Sequence, residues 1–402
     1  MPLTIAIIVR FMSKVEVSVP RHADELDELA SIVSWAFHDT QEGAQKWLRS
    51  SPLADIRLAH TGGRLVGGVA TIPMGQWFGE RSVPCLGLAG VAVKASARGS
   101  GVGLAMVSAV LREARDRGLA LSALYPSTQA LYRQAGYEVA GMYCRHELQL
   151  GECPRFRSEL ELADAEAADQ PAIENLYATL SRERPGYLDR GRYIWGRVRE
   201  YAGTPTRGVV ARSSAGIEGY VFMGQTASGP EQYALRVTDF AAATPRATLR
   251  LFDYLAGHRS TAQSARWFGG PADQRQLLLP DKIYKTQLEV YWMLRVIDVV
   301  RALELRGYPE VEREVVLAVD DPVLPENSGT YRLRVAAGQG TVERVQTAPA
   351  ARLDVRALAA LYTGFLPPRE LVRAGALTVE PGALSTLAVL FGGAMPALAD
   401  YF

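Results

Sequence analysis

Three glycines at every second position follow an arginine in the stretch VAVKASARGSGVGLAM. An apolar run precedes them and an apolar helical pattern follows, which predicts a strand, a turn and a helix. Glycines let the backbone approach a ligand closely, and the free N–H groups of a helix start, together with the helix dipole, bind phosphate. The arginine adds a charged, planar donor. The stretch therefore indicates an anion site made of Arg98, Gly99, Gly101, Val102 and Gly103.

Other glycine loops fit this spacing less well. A P-loop requires a lysine directly after its last glycine, and none stands here. A dinucleotide loop has the spacing GxGxxG and an acid closing the second strand, whereas this chain has GxGxG and a next strand that ends in Leu124 and Tyr125. A tight strand-to-helix turn without a ligand remains an alternative. The arginine and the long helix behind the turn favour an anion.

The pattern Arg98-x-x-Gly101-x-Gly103 resembles the acetyl-CoA loop of the GNAT N-acetyltransferases, Gln/Arg-x-x-Gly-x-Gly/Ala. LYRQAGYEVAG (131–141) is similar to a later segment of the same family, Leu-Tyr-x-x-x-Gly-Phe/Tyr, and follows in the expected order. The family loop is usually richer in arginine than this one. The resemblance implies an enzyme that transfers the acetyl group of acetyl-CoA, its cosubstrate, to a primary amine.

The resemblance also implies roles for individual residues. An alkyl ammonium has a pKa near 10.4, so the acceptor must lose a proton before it attacks the thioester. The oxyanion that forms requires hydrogen-bond donors. The resemblance implies that these are the backbone N–H groups of Val91 and Val93. Tyr132 matches the family tyrosine that protonates the departing thiolate; a tyrosine packed under the cofactor is the alternative. Tyr125 is expected to be part of the wall.

Over the whole chain, the sequence resembles the Eis (enhanced intracellular survival) family, which joins two GNAT domains, the second without its CoA loop, to a sterol-carrier-like domain. LRVIDVVRALELRGYP and the final residues Asp400, Tyr401 and Phe402 carry that resemblance outside the first domain. It implies acceptors such as aminoglycosides, polyamines or lysines, and a homo-oligomer, a hexamer. It also implies that the carboxylate of Phe402 orients the amine, since a group of pKa near 3.5 is a weak base. A frayed terminus is the alternative.

The acceptor pocket is expected near the segments WAFHD and KWL. Phe37 and Trp47 align with family positions that form apolar walls, and Asp39 with one that holds an ammonium. A core role for the two aromatic residues and a helix-capping role for Asp39 remain equally open. Trp195 and Glu200 are weaker candidates for the same cleft.

His146 lies on an alternating strand pattern and is expected to be packed or solvent-facing rather than a general base. Three irregularly spaced cysteines, Cys85, Cys144 and Cys153, fit neither a disulfide framework nor a zinc site. They are expected to be small buried residues, and no metal is expected.

The elements that must position these residues alternate between strands and helices, which predicts an α/β (α+β) protein. Residues 1–150 read as strand, helix, hairpin, strand, glycine loop, helix, strand, helix and strand. Residues 151–293 repeat that order, but the corresponding helix entry, AATPRATLR, has a proline and no glycine. Residues 294–402 read as a small α+β layer. We therefore expect two tandem GNAT-like mixed sheets, the second lacking the CoA loop, and a sterol-carrier-like domain.

Composition excludes little else. The 402 residues are 48% hydrophobic and 22% charged, with a formal net charge of +1, so neither nucleic acid nor an anionic membrane is an expected partner. No apolar run is long enough to span a bilayer, and the first residues do not resemble a signal peptide, which favours the cytoplasm. Translation from Met12 instead of Met1 is left open. Two further functions also stay open: a lipid or small-molecule binder working through the last domain, and a CoA-binding regulator without turnover.

Overall fold

The computed structural model describes residues 15–201, 203–227 and 232–402, so a start at Met12 lies outside the described residues. The chain forms two compact units. The first comprises residues up to 72 together with 88–116, and the second comprises residues 73–87 and 117–402. The three domain boundaries expected from the sequence stay a prediction.

The described helices and strands follow the predicted alternation. The α-helices are α1 (Glu25–Phe37), α2 (Gln41–Arg49), α3 (Val102–Asp116), α4 (Gln129–Gln134), α5 (Gln170–Ser181), α6 (Arg192–Arg199), α7 (Pro245–Ala256), α8 (Val299–Leu305), α9 (Val355–Thr363), α10 (Pro368–Arg373) and α11 (Pro381–Phe391). The strands are β1 (Val15–Ser18), β2 (Ile56–Thr61), β3 (Arg64–Phe78), β4 (Arg81–Val93), β5 (Leu121–Leu124), β6 (Glu138–Gln149), β7 (Glu161–Asp164), β8 (Leu188–Asp189), β9 (Glu200–Tyr201), β10 (Thr204–Pro205), β11 (Arg207–Ser213), β12 (Gly216–Ala227), β13 (Tyr233–Ala242), β14 (Ala262–Gly269), β15 (Tyr284–Val296), β16 (Arg313–Asp320), β17 (Gly329–Ala336), β18 (Gln339–Arg344), β19 (Ala351–Asp354) and β20 (Leu377–Val379).

The first unit packs α1 and α2 on the antiparallel strands β1, β2 and β3, with β4 beside β3. The helical spacing places Leu26, Leu29 and Val33 of α1 in the core, as the sequence predicts. The expected hairpin forms as well. Its two turn residues, Gly62 and Gly63, have φ values of 57° and 73°, which suit a tight turn whose twist matches that of the strands.

An ion pair fastens α3, the helix behind the glycine loop, to this sheet. Arg57 on β2 is 4% exposed and donates from Nε to Glu113 on α3 over 2.7 Å. Its Nη1 also donates to the carbonyl of Ala54 at 2.7 Å. A guanidinium that is removed from water requires such partners. The ion pair therefore fixes α3 on the sheet near the C-terminal end of the helix, opposite the glycine loop.

In the second unit the strands lie in the order β5, β15, β6, β14, β13, β12, β11 and β7. The pair β13 and β14 is parallel, while β15 runs antiparallel to both of its neighbours. β15 comes late in the chain and separates β5 from β6, which are close in sequence. This mixed sheet confirms the α/β class, although the sequence analysis did not foresee where β15 would insert.

The C-terminal layer is a five-stranded sheet in the order β18, β17, β16, β19 and β20. Tyr331, Leu333 and Val335 alternate along β17 and are buried on one face, as their spacing predicts. The sequence predicts helices at about 355–364, 367–376 and 381–391, and α9, α10 and α11 lie there. Every residue of α9 except Arg356 is buried, which is the behaviour of a central helix that is apolar on most sides.

A fully buried ion pair joins β15 to the C-terminal layer. Nη2 of Arg295 lies 2.8 and 2.6 Å from the two carboxylate oxygens of Asp321, and neither side chain is exposed. Asn327 donates to the same carboxylate and to the carbonyl of Ile297, both at 2.9 Å. Such a network is costly to break because any member left alone would be an unpaired polar group in the core.

Candidate active site

The glycine loop forms an open turn before α3. Gly99 and Gly101 have φ values of 75° and 84°, a backbone conformation that favours glycine. A Cβ at Gly99 would meet nothing within 4 Å, so there is open space beside this residue. The first turn of α3 contains no acidic residue, and its leading N–H groups have no carbonyl four residues earlier in the helix. The turn therefore offers donors to an anion.

Arg98 is exposed beside this turn. Its Nε donates to the carbonyl of Val93 over 3.3 Å, which leaves the rest of the guanidinium free to reach a ligand. No carboxylate lies within 4.0 Å of Arg98 in the part of the chain that the structure describes. The loop thus meets the chemical requirements of a diphosphate: backbone donors, a cation and no competing acid.

A break in the pleat of β4 precedes the loop at Gly90. Its φ of 59° suits glycine, and a Cβ there would lie 2.3 Å from the ring of Trp47. Val91 and Val93 follow, two residues apart, so their N–H groups point to the same side of the strand. Both side chains are half-buried at the end of β4.

The equivalent entry in the second repeat is closed. Thr244 caps α7, its side chain accepting from the N–H of Ala247 at 3.2 Å. Pro245 occupies the first helical position and has no N–H to offer. At this helix start one N–H group is already bound and another is missing, so fewer donors are left for a phosphate. This explains in physical terms the predicted absence of a CoA loop in the second repeat.

Tyr132 lies on α4 in the second unit and is 6% exposed. Burial raises the pKa of its phenol to about 12. Its ring packs edge-on against Tyr137, with centroids 5.9 Å apart, and the Tyr137 hydroxyl lies 2.7 Å from that of Ser122. Within the described ranges, no side-chain hydrogen bond occupies the Tyr132 hydroxyl. The phenol is therefore protonated, and its hydroxyl is available to a ligand.

The last residues of the chain are built into the second unit. Met142 on β6 exchanges backbone hydrogen bonds with this segment, accepting from Leu398 at 3.0 Å and donating to Pro396 at 3.1 Å. Phe402 is 8% exposed and its ring centroid lies 5.4 Å from that of Tyr125. The segment is thus packed, in contrast with the alternative of a frayed end.

Arg190 anchors this segment. Its guanidinium binds the carboxylate of Asp400, with Nε to Oδ2 at 3.0 Å and Nη2 to Oδ1 at 2.8 Å, and also binds Asp239. Tyr177 donates to Asp400 at 3.2 Å and packs its ring 3.6 Å below the guanidinium carbon. Tyr220 donates to Asp239 at 2.8 Å. All five side chains are buried, and burial is the main cause that raises the pKa of Asp400.

Tyr125 also contacts the end of the chain. Its hydroxyl donates to the carbonyl of Asp400 at 2.5 Å, and its ring stacks on Tyr401 with centroids 4.6 Å apart. The sequence predicts Tyr125 as part of a wall and gives no indication of the Arg190 cluster. The members of that cluster are spread from residue 177 to residue 400 and share no motif, so only the family-like ending of the chain offered a signal.

The residues expected in the acceptor pocket lie in the first unit. Phe37 ends α1 and is 45% exposed. Asp39 is exposed beside a shallow cavity of about 260 Å³, and its Oδ1 accepts from the N–H of Thr40. Thr40, not Asp39, is the N-cap of α2. Trp47 is half-buried on α2 and its ring contacts Gly90.

Trp195 and Glu200 belong to the second unit. Trp195 packs edge-on against Tyr177, with centroids 5.4 Å apart, and lies under the guanidinium of Arg190. Glu200 is exposed at the end of α6. Trp195 is thus in contact with the cluster that anchors the end of the chain.

His146 is a packed histidine, as the sequence favours. It is 1% exposed, and its Nδ1 lies 3.0 Å from the hydroxyl of Thr286. Burial lowers its pKa to about 4, although the neighbouring carboxylate of Asp273 works in the opposite direction. Cys85, Cys144 and Cys153 are buried and free.

Two further features concern metal binding and membrane insertion. Among the described residues, no group of three or more His, Cys, Asp or Glu side chains is arranged to hold a metal ion. Over the same residues, no helix has the length and hydropathy required to cross a membrane.

Comparisons with known proteins match the described architecture segment by segment. Residues 20–140 and 186–296 each match a model of an acetyltransferase (GNAT) domain, and residues 299–399 match a sterol carrier protein domain. The expectation of two tandem acetyltransferase-type domains followed by a sterol-carrier-type layer is therefore confirmed.

Individual relatives cover most of the chain. An uncharacterized N-acetyltransferase of Streptomyces coelicolor is 31% identical over 78% of this chain and 80% of its own length. The crystal structure of a GCN5-related N-acetyltransferase from Anabaena variabilis is 30% identical, with a TM-score of 0.91 over 97% of this chain and 100% of that one. Eis1 from Mycobacterium abscessus, at 23% identity, shares the fold with a TM-score of 0.75 over 97% of this chain and 100% of its own.

The buried His146 predicts a pH dependence of stability. Its pKa is about 4 in the folded protein against 6.5 in the unfolded chain, so the unfolded chain takes up the proton first as the pH falls. The free energy of unfolding should therefore decrease between pH 6.5 and 4, by about 3 kcal/mol from this group. Urea unfolding of the wild type and His146→Gln across that range measures the difference.

The variant should lose less stability than the wild type on acidification, because glutamine takes up no proton. His22→Gln, which replaces an exposed histidine, is the control and should follow the wild-type curve. Parallel curves for the wild type and His146→Gln would show that this histidine does not carry the effect.

Proposed function

The chain belongs to the GNAT family of N-acetyltransferases, and we propose that it transfers acetyl from acetyl-CoA to a primary amine of a small polyamine, aminoglycoside-like or lysine-type acceptor. The observation that carries this proposal is the contrast between two helix starts. The turn before α3 leaves its donors open beside Arg98, whereas the start of α7 is closed by Thr244 and Pro245.

We assign the diphosphate of acetyl-CoA to the backbone of Gly99, Gly101, Val102 and Gly103, with Arg98 as the charged partner. Acetyl-CoA would supply an activated acetyl group as a thioester. The N–H groups at Val91 and Val93 are proposed to donate to the acetyl oxygen. Their same-side spacing after the break at Gly90 supports this role, because it directs both donors to one side of the strand.

We propose Tyr132 as the group that gives a proton to the leaving thiolate. The burial that raises its pKa to about 12 keeps the phenol protonated at neutral pH, the state from which a donor must start. Its hydroxyl is not consumed by a structural hydrogen bond to the described residues, unlike that of the neighbouring Tyr137.

The carboxylate of Phe402 is proposed to orient the acceptor amine and stabilise its cation. A terminal carboxylate can do this only if the backbone before it is fixed. The bonds from Arg190 to Asp400, from Tyr125 to the Asp400 carbonyl and from Leu398 to Met142 supply that restraint. Tyr132 and Phe402 are thus the two proposed catalytic residues.

Phe37, Asp39 and Trp47 remain the proposed acceptor walls in the first unit. The exposure of Phe37 and Asp39 supports contact with a small molecule, and Asp39 is free of the capping role that Thr40 fills. We further propose a cytoplasmic enzyme that forms a homo-oligomer, a hexamer in keeping with the resemblance to the Eis family.

The loop assignment predicts that Arg98→Ala weakens acetyl-CoA binding. An exposed charged hydrogen bond to phosphate contributes about 1 kcal/mol, so the Kd should rise roughly fivefold. Isothermal calorimetry with acetyl-CoA measures this. Arg112→Ala removes an exposed arginine from α3, the helix behind the loop, and should leave the Kd unchanged. If Arg98→Ala and Gly101→Val both bind like the wild type, the loop is not the phosphate site.

The acid assignment predicts that Tyr132→Phe lowers kcat by at least tenfold, since a positioned proton donor contributes roughly a hundredfold or more. The KM for acetyl-CoA should stay within about twofold. Thiol release with a panel of spermidine, kanamycin and lysine peptides measures both constants. Tyr137→Phe is the matched control: it removes a buried hydrogen bond to Ser122 and should lower the Tm without lowering kcat. Unchanged turnover in Tyr132→Phe would leave this tyrosine a packing role only.

The terminal assignment predicts that one glycine added after Phe402 reduces kcat by at least tenfold, because it moves the carboxylate away from its place. Calorimetry should find the Kd for acetyl-CoA unchanged, and the Tm should show that the fold is intact. Normal turnover by the extended chain would contradict a catalytic role for this carboxylate.

A further inference from the structure

A cavity of about 270 Å³ lies in the second unit beside the end of the chain. Its walls come from α6, β13 and the final segment, and include Arg197, Arg236 and Tyr401. Tyr143 on β6 and Phe268 on β14 close one side. The final segment, which Arg190 fixes, thus forms part of the cavity wall. Its residue Tyr401 directly precedes Phe402, whose carboxylate is the proposed catalytic group.

Arg236 is the unusual member of this wall. Its guanidinium carbon lies 3.9 Å from the centroid of the Phe268 ring and 5.7 Å from that of Tyr201. Its Nε is buried without a hydrogen-bond partner, and across the described ranges no carboxylate lies within 4.0 Å of it. The hydroxyl of Tyr143 is its polar neighbour. A guanidinium placed among rings with no counter-ion is suited to an anion that arrives from outside.

The other charged groups of the cavity do not neutralise Arg236. Arg197 adds a second positive charge at the exposed side. The carboxylate of Asp400 also faces the cavity, but it is 6% exposed and bound to Arg190. Glu200 is exposed at the rim, where solvent screens it. Among the described residues, Arg236 is therefore a guanidinium of the cavity wall that has no carboxylate within 4.0 Å, whereas Asp400 shares Arg190 with Asp239.

The uncharged walls are aromatic. The rings of Tyr143 and Phe268 stack with centroids 4.5 Å apart and an interplanar angle of 11°, and Tyr401 lies 5.9 Å from Tyr143. Flat apolar surfaces beside a guanidinium are complementary to a molecule that has a carboxylate next to an apolar or aromatic body.

We propose that this cavity binds the carboxylate of an amino-acid-type acceptor, so that the enzyme selects amines that also carry an anionic group over simple polyamines. The role of the occupant as acceptor rests on the proposed function. In that transfer the amine nitrogen forms a bond to the acetyl carbon, the bond from that carbon to sulfur breaks, the amine loses a proton and the thiolate gains one. Arg236 is a specificity-determining residue that takes no part in these steps.

Matched acceptors test the selectivity in the full-length protein. Lysine and cadaverine differ by one carboxylate, as do tyrosine and tyramine. Thiol release should give a KM at least tenfold lower for the carboxylate-bearing member of at least one pair. In Arg236→Gln that ratio should fall towards one, and Arg236→Lys should restore part of it. Arg266→Gln is the control, because Arg266 on β14 is already paired with Glu147 and does not line the cavity.

Binding without turnover separates this proposal from the proposed function. Calorimetry should show that 3-phenylpropionate binds the wild type at least tenfold more tightly than 3-phenylpropanol, and that Arg236→Gln loses this difference with an unchanged Tm. That result supports the anion site even if no amine is acetylated, in which case only the proposed function fails. Equal binding of the acid and the alcohol, or the absence of a lower KM for the carboxylate-bearing member in both pairs, overturns the proposal.

Discussion

The buried guanidinium of Arg190 holds two carboxylates at once, and the placement of the end of the chain depends on it. Asp239 comes from the second repeat and Asp400 from the final segment, so one side chain joins parts of the sequence that are far apart. Three charges inside a protein are costly unless each is matched, and the hydroxyls of Tyr177 and Tyr220 complete that matching. The cluster favours one position of the final segment over all others, because a displaced segment would leave buried charges without partners.

The two repeats show how one scaffold serves two purposes. Both place a helix directly after a strand in the same position of the topology. In the first repeat, glycines and an exposed arginine leave the helix start available to a ligand; in the second, a threonine cap and a proline close it. The second repeat has kept its sheet and contributes structure instead, since β13 and β14 supply walls and Asp239 supplies an anchor.

Local physical rules made much of the fold predictable. Helical spacing identified α1, α3 and the three closing helices, and the Gly62–Gly63 turn fixed the first hairpin. The glycine loop could be singled out because a phosphate site at a helix start depends on residue types that follow one another in sequence. The Arg190 cluster and the environment of Arg236 could not be predicted, because long-range topology decides which charges meet in a core. No spacing along the chain indicates such contacts. The insertion of β15 could not be predicted for the same reason.

That insertion constrains the order in which the protein can mature. Strand β15, residues 284–296, must come between β5 and β6 before either strand has its full set of backbone partners. A nascent chain that has only just emerged past β6 therefore carries unpaired strand edges until well over a hundred further residues have been synthesised. A first repeat cut out at residue 150 would lack β15 and would leave the facing edges of β5 and β6 without that partner.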